Sequence, residues 1–324
     1  MSTSCRHTPV VLRSHSGATI APVTEVVAHR GSSADAPEHT LAAYVQAITD
    51  GADSLECDVR LTSDGHLVCV HDRRIDRTSD SRGVVSVMTL DDLHRVDFGR
   101  WRDAGVPRPT SPASVEDDLV VMDETRRRVL TLERLLELVV DCDREIGLAI
   151  ETKHPTRYAG LVEERTVELL RRFGLARPRS EQDARIRVMS FSQLSVRRVR
   201  ALAPGLPTVF LMERVPLRFR DGSLPFGAGI AGPSIDIIRA HPSYVARLHA
   251  QGARVHVWTV DRPDDVELCL RLGVDAIITN RPGAVLAQRD SWTGGDGESS
   301  VDRGHGPGRR AWSTLRSRTL AHRG

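Results

Sequence analysis

The feature that most constrains this chain is an alternation. From residue 25 onward, short runs rich in β-branched residues take turns with stretches of helical periodicity. The runs cover residues 26–29, 55–61, 147–153, 187–191, 208–212, 229–235, 254–260 and 275–279. Helical patterns follow most of them, at 40–49, 158–173, 193–203, 242–251 and 263–272. Within 158–173, Leu161, Val162, Thr166, Leu169, Leu170 and Phe173 recur at three- and four-residue steps, as one buried helical face requires. Eight strands with helical crossovers predict an α/β fold, a (β/α)8 TIM barrel spanning 25–285. A doubly wound sheet is the rival. No GxGxxG follows the first run, however, and polar residues gather at the C-terminal ends of several runs, where a barrel keeps its catalytic face.

Two stretches interrupt the pattern. Ser63-Asp64-Gly65-His66 is a turn, so the second strand folds back through residues 67–70 as a hairpin ending at His71. Residues 73–129 read as an irregular insertion over part of the barrel mouth, and 1–24 as an N-terminal extension. Residues 286–324 are rich in Gly, Ser and Arg with few aliphatics, the composition of a disordered tail.

A formal charge of +2 and 4% aromatic residues leave neither the field nor the stacking platform that nucleic acid needs. No run is long enough for a membrane span, and residues 1–24 hold no continuous apolar stretch, so neither stable membrane insertion nor a signal peptide is expected. Five scattered cysteines favour a reducing compartment, hence a cytoplasmic protein. Oligomeric state is left open.

Strand alternation then sorts the reactive groups. Glu56 and Asp58 share one face of their strand, and Glu151 and Lys153 share one face of theirs. In a barrel these faces converge on the axis. Three carboxylates meeting there repel one another unless a cation sits among them, and oxygen ligands favour one hard divalent ion, Mg²⁺ or Ca²⁺. The alternative is a salt-bridge cluster in which Lys153, the only lysine among 45 basic residues, and Arg30 neutralise the acids. His29 and His71, each at a strand end beside these acids, suit general base and acid, and Asp72 can orient a ring. Arg30 and Lys153 suit the oxygens of a phosphate. Phe191 and Trp258 are candidates for an apolar wall against substrate. Together the groups describe phosphoryl chemistry.

The ordered set His29-Arg30-Gly31, Pro37-Glu38-His39-Thr40, Glu56-Cys57-Asp58, His71-Asp72, Glu151-Thr152-Lys153, Ser190-Phe191, Trp258-Thr259-Val260 and Thr279-Asn280-Arg281-Pro282 resembles the glycerophosphodiester phosphodiesterases. The resemblance covers 25–285. It implies Glu56, Asp58 and Glu151 as metal ligands, His29 and His71 as catalytic histidines, and Arg30 and Lys153 as phosphate contacts. The implied reaction is hydrolysis of a small glycerophosphodiester to sn-glycerol 3-phosphate and an alcohol. Asn280 stands where aspartate is common, at a position expected to lie beyond the metal cluster. A lysophospholipase D, a metal-independent phosphatidylinositol-type phospholipase C and a non-catalytic barrel binding anions or a membrane surface are the alternatives. For the leaving alcohol, Arg95, Arg100, Trp101, Arg214, Arg218 and Phe219 are the expected mouth residues.

Overall fold

The computed structural model describes residues 23–102, 125–180 and 183–293. Its strands are β1 (Glu25–His29), β2 (Ser54–Leu61), β3 (Leu67–Cys69), β4 (Gly147–Thr152), β5 (Ile186–Ser190), β6 (Thr208–Met212), β7 (Ile230–Pro233), β8 (Arg254–Val257) and β9 (Ala276–Thr279). They pair in the order β1-β9-β8-β7-β6-β5-β4-β2, and β1 also pairs with β2, which closes a parallel eight-strand barrel. The expected (β/α)8 barrel is therefore the observed fold. β3 lies outside the ring, antiparallel to β2, with Val59 opposite Cys69 and Leu61 opposite Leu67.

The helices are α1 (Leu41–Thr49), α2 (Leu90–His94), α3 (Leu132–Val140), α4 (Leu161–Arg172), α5 (Gln193–Leu202), α6 (Ile235–Ala240), α7 (Ser243–Ala250), α8 (Pro263–Leu272) and α9 (Pro282–Ser291). Four of them, α2, α3, α6 and α9, lie where the sequence reading placed none. α3 carries its signal plainly: Leu132, Leu135, Leu136 and Val139 are buried on one face, and Thr131 caps its first turn by accepting from Arg134 N. α6 follows β7 directly, so the strand expected over 229–235 stops at Pro233. α9 overturns the start of the expected disordered tail, because Val285 and Leu286 are buried against the barrel and the helix runs to Ser291. Residues 294–324, like 1–22 and 103–124, lie outside the described residues.

The described part of the insertion is also less irregular than expected. Ile75, Val85, Leu93, Val96 and Phe98 bury with Val68, Val70 and Val129 in a small core of their own beside the β2–β3 hairpin. α2 closes with a capping box between Thr89 and Asp92.

Alternation along the barrel strands stacks three layers on the axis. The lowest is polar, with Glu25, Ser54, Arg187 and His256. The middle is apolar, built from Val27, Ala149, Met189, Val209, Leu211, Ile230, Ala276 and Ile278. The uppermost holds His29, Asp58, Glu151, Phe191 and Trp258, each reached in steps of two along its own strand face. The period of two thus converts eight short runs into one ring of functional groups at the C-terminal end.

Candidate active site

Glu56, Asp58 and Glu151 each offer a carboxylate oxygen within 4.8 Å of the others, and all three are buried. β2 and β4 are in register with Asp58 beside Glu151, which is why two adjacent strands deliver the trio. Lys153 Nζ lies 2.8 Å from Glu151 Oε1 and 3.0 Å from Asp58 Oδ1, and Arg30 Nε lies 3.0 Å from Asp58 Oδ2. The backbone N–H of Arg30 donates to Glu56 Oε2 at 3.0 Å.

The acids differ in kind. Burial pushes Glu56 well above the usual carboxylate range, and neighbouring Asp58 adds to that. Glu151 is pushed up to about 8 by burial and by Asp58, with Lys153 offsetting part of the rise. Burial acts on Asp58 in the same direction, but Lys153 and Arg30 outweigh it and hold that carboxyl well below its ordinary value. One acid is stably ionised and two carry charge reluctantly. A divalent cation would reverse that reluctance, and a set of three carboxylates is hard-ion chemistry.

The two histidines sit in unlike settings. His29 Nδ1–H donates to Asn280 Oδ1 at 2.7 Å. The amide of Asn280 is fixed the right way round, because its Nδ2 donates to Asp261 Oδ2 at 2.6 Å and its Oδ1 also accepts from Ser33 Oγ. That leaves His29 Nε2 as a bare lone pair, 4.0 Å from Glu56. Burial, with Arg30 close by, lowers the His29 pKa to about 3. His71 instead pairs Nδ1 with the Asp72 carboxylate at 2.7 Å. Burial lowers its pKa too, while Asp58 and Asp72 act to raise it.

All nine sequence-predicted site residues come together. His29, Arg30, Glu56, His71, Glu151, Lys153, Phe191 and Trp258 line one cleft of about 490 Å³, including its solvent-open part, and Asp58 lies beneath it. Phe191 and Trp258 meet edge to face with centroids 5.4 Å apart, and Trp258 Nε1 donates to Gly232 O. Gly232 leaves room there, since a Cβ would come within 2.6 Å of Leu211 Cδ2. The Arg30-Gly31 turn is similarly tight: Gly31 has φ of 83° and a Cβ would press on the Ala43 backbone at 2.6 Å.

Other residues of the site had no role assigned from the sequence. His39 Nε2–H donates to Asp58 at 2.9 Å, and its Nδ1 lies 2.8 Å from the Tyr44 hydroxyl. Arg77, from the insertion, donates twice to Glu38 and once to Asp72, at 2.6–2.8 Å, and Glu38 in turn accepts from Arg30. Asn280, expected beyond the metal cluster, is the direct partner of His29. The mouth residues also need correction. Arg95, Arg100, Trp101, Arg214, Arg218 and Phe219 are absent from the described lining of the cleft. Phe219 is buried against Phe210 and Tyr244, Trp101 Nε1 turns inward to Phe98 O, and Arg95 pairs with Asp92. Glu213, one residue past β6, lines the cleft instead.

Comparison with known proteins agrees with this geometry. The profile of the glycerophosphoryl diester phosphodiesterase family matches residues 29–284. A probable glycerophosphodiester phosphodiesterase 1 of Mycobacterium tuberculosis is 45% identical over 262 residues, covering 81% of this chain and 91% of that protein. A glycerophosphodiester phosphodiesterase of Bacillus subtilis is 33% identical over 261 residues, covering 79% and 83%. In fold, the chain is similar to an Oleispira antarctica phosphodiesterase solved with the product sn-glycerol-3-phosphate, with a TM-score of 0.67 and 23% identity over 83% of this chain and 98% of that one. With the profile covering residues 29–284, nearly all of the barrel, this chain belongs to the glycerophosphodiester phosphodiesterase family of phosphoric diester hydrolases.

Proposed function

We propose that the chain hydrolyses small glycerophosphodiesters to sn-glycerol 3-phosphate and an alcohol, using one divalent cation and two histidines of distinct role. The observation that carries this reading is the meeting of three buried carboxylates, two of them reluctant anions, between two imidazoles whose free nitrogens are set by different partners. Glu56, Asp58 and Glu151 are the residues to hold Mg²⁺ or Ca²⁺. Such an ion supplies Lewis-acid stabilisation of charge on the phosphoryl oxygens. Arg30 and Lys153 offset the same charge as it grows in the transition state.

His29 is the base. Its Nδ1 proton is committed to Asn280, so Nε2 takes the proton from the attacking hydroxyl, that of glycerol C2. The new O–P bond forms as the P–O bond to the alcohol breaks. His71 is the acid, since the Asp72 carboxylate behind it supports the imidazolium that delivers a proton to the departing alkoxide. Water then opens the cyclic phosphate, with the two imidazoles exchanging roles.

The described cysteines Cys57, Cys69, Cys142 and Cys269 are free thiols, three of them buried, in keeping with a cytoplasmic setting. Among the described residues no helix is long and apolar enough to cross a membrane. The cleft is suited to water-soluble diesters, with glycerophosphocholine and glycerophosphoethanolamine both cleaved and long-chain lysolipids cleaved slowly.

A second reading has its own support: Lys153 and Arg30 already contact the acids, as in a metal-independent phospholipase. Chelation separates the two. Exhaustive EDTA treatment is expected to abolish release of glycerol 3-phosphate, read by a coupled dehydrogenase, and Mg²⁺ or Ca²⁺ to restore it. Full activity in chelated protein would overturn the metal reading.

A further inference from the structure

The ring of groups at the top of the barrel contains one charge the proposed chemistry does not use. Along β6 the axis-facing positions are Val209 and Leu211, both in the apolar middle layer, and Glu213 continues that face one step beyond the strand. Glu213 lines the same cleft as His29, Arg30, Lys153, Phe191 and Trp258. It is exposed, and among the described residues no hydrogen bond or ion pair engages its carboxylate. Its neighbour Arg214 does not line the cleft. β6 lies four strands from β1 whichever way the barrel is counted, so Glu213 stands on the wall opposite His29. Phe191, one residue past β5, and Trp258, one residue past β8, supply aromatic faces and edges on the same cleft.

An unpaired carboxylate is an odd thing to place in the cleft of an enzyme whose substrate is an anion. It repels the phosphodiester, and a neutral alcohol offers it hydroxyl hydrogen bonds but no opposite charge. The cost is recovered when the substrate carries a positive charge on the alcohol side. The cleft is then cationic at one end, through Arg30 and Lys153, and anionic and aromatic at the other, which is the charge pattern of a zwitterion in mirror image. An ammonium group also favours the faces of Trp and Phe rings.

We propose that Glu213, with Trp258 and Phe191, forms a subsite for a cationic leaving alcohol, and that it makes this chain prefer diesters of quaternary or primary amino alcohols over those of uncharged polyols. The proposal rests on the diesterase reading given above, with the alcohol half of the substrate, rather than the glycerol half, reaching β6.

The test is a ratio. Specificity constants are measured for glycerophosphocholine and for glycerophosphoglycerol with the wild type, Glu213→Gln and Glu213→Lys, at low and high salt. The choline-to-glycerol ratio is expected to fall roughly 3–10-fold in Glu213→Gln, further in Glu213→Lys, and the wild-type ratio to shrink as salt screens the carboxylate. Because both substrates are read on one preparation, partial loss of folded enzyme cancels. Equal losses on both substrates in the two variants would place Glu213 on the shared glycerol half and overturn the subsite while leaving the diesterase reading intact. A wild type that cleaves neither compound with Mg²⁺ or Ca²⁺ overturns that reading, and the subsite with it.

Discussion

The two ends of the barrel both hold charge inside the ring of strands, and they treat it in opposite ways. At the lower end one acid meets one base: Glu25 Oε1 accepts from Arg187 Nη2 at 2.9 Å and from Ser54 Oγ. Burial alone would push Glu25 up, but Arg187, His256 and Ser54 overcome it and bring its pKa down to about 2. At the upper end acids exceed what the bases can satisfy, so Glu56 and Glu151 are driven upward while Asp58 takes most of the help. A buried charge with its partner serves the fold. A buried charge short of one is waiting for something that arrives from solvent.

The sharpest way to break this contrast is at the histidines. His29→Ala and His71→Ala are each expected to lower turnover by about 10²–10⁴-fold with little change in melting temperature. Near wild-type rates in both would remove the upper end's claim to chemistry. Next in size is the lower end. Arg187→Ala should cost about 2–3 kcal/mol of stability, below the roughly 3–5 of a fully buried pair because Glu25 keeps part of its side chain in solvent. Denaturant unfolding measures the loss, and activity per folded molecule should survive.

Glu56→Gln should do the reverse. In chelated protein at pH 7.5 it is expected to gain about 1–2 kcal/mol and a higher melting temperature, and in protein supplied with Mg²⁺ or Ca²⁺ to abolish turnover. The sign follows from the raised acids. Between the unfolded carboxylate value and the folded one, about 8 for Glu151, the folded state binds more protons, so stability falls as pH rises. Glu25 contributes oppositely, with stability present above its unfolded value and lost only as pH falls through about 2. A destabilised Glu56→Gln variant would mean that the upper cluster is satisfied as it stands.

The smallest effect belongs to Asp72→Asn. An acid must be protonated to act, so activity falls as pH rises through the His71 pKa. Removing the carboxylate that supports the imidazolium lowers that pKa and should move the alkaline limb of kcat/KM to lower pH, by about one unit or less. An unmoved limb would return the acid's role to His29.

The barrel and its charged ring were legible because one rule generates both. Period-two alternation in short parallel strands places every other side chain on the axis, so Glu56, Asp58, Glu151 and Lys153 could be grouped before any contact was known. His39 and Arg77 obey no such rule. His39 reaches Asp58 from a loop where its own φ is 62°, and Arg77 crosses from the insertion to Glu38 and Asp72. These contacts depend on loop paths that local sequence does not encode. Glu213 was within reach of the alternation rule, one step past Leu211. The arginines and aromatics beyond β6 mark no side of the cleft, since the composition of an exposed segment says nothing about which way its side chains face. α3 was equally readable from its leucine spacing.

The apolar layer between the two polar ends has a consequence for engineering. The side chains of Val27, Ala149, Met189, Val209, Leu211, Ile230, Ala276 and Ile278 fill the barrel's waist with apolar groups. Among the described residues no side-chain hydrogen bond or ion pair joins the polar groups above that plug to those below it, and separation of that kind favours additive mutational effects. The catalytic rim can therefore be redesigned for another diester on an untouched foundation, and the foundation can be reinforced with ion pairs or packing while the rim keeps its chemistry.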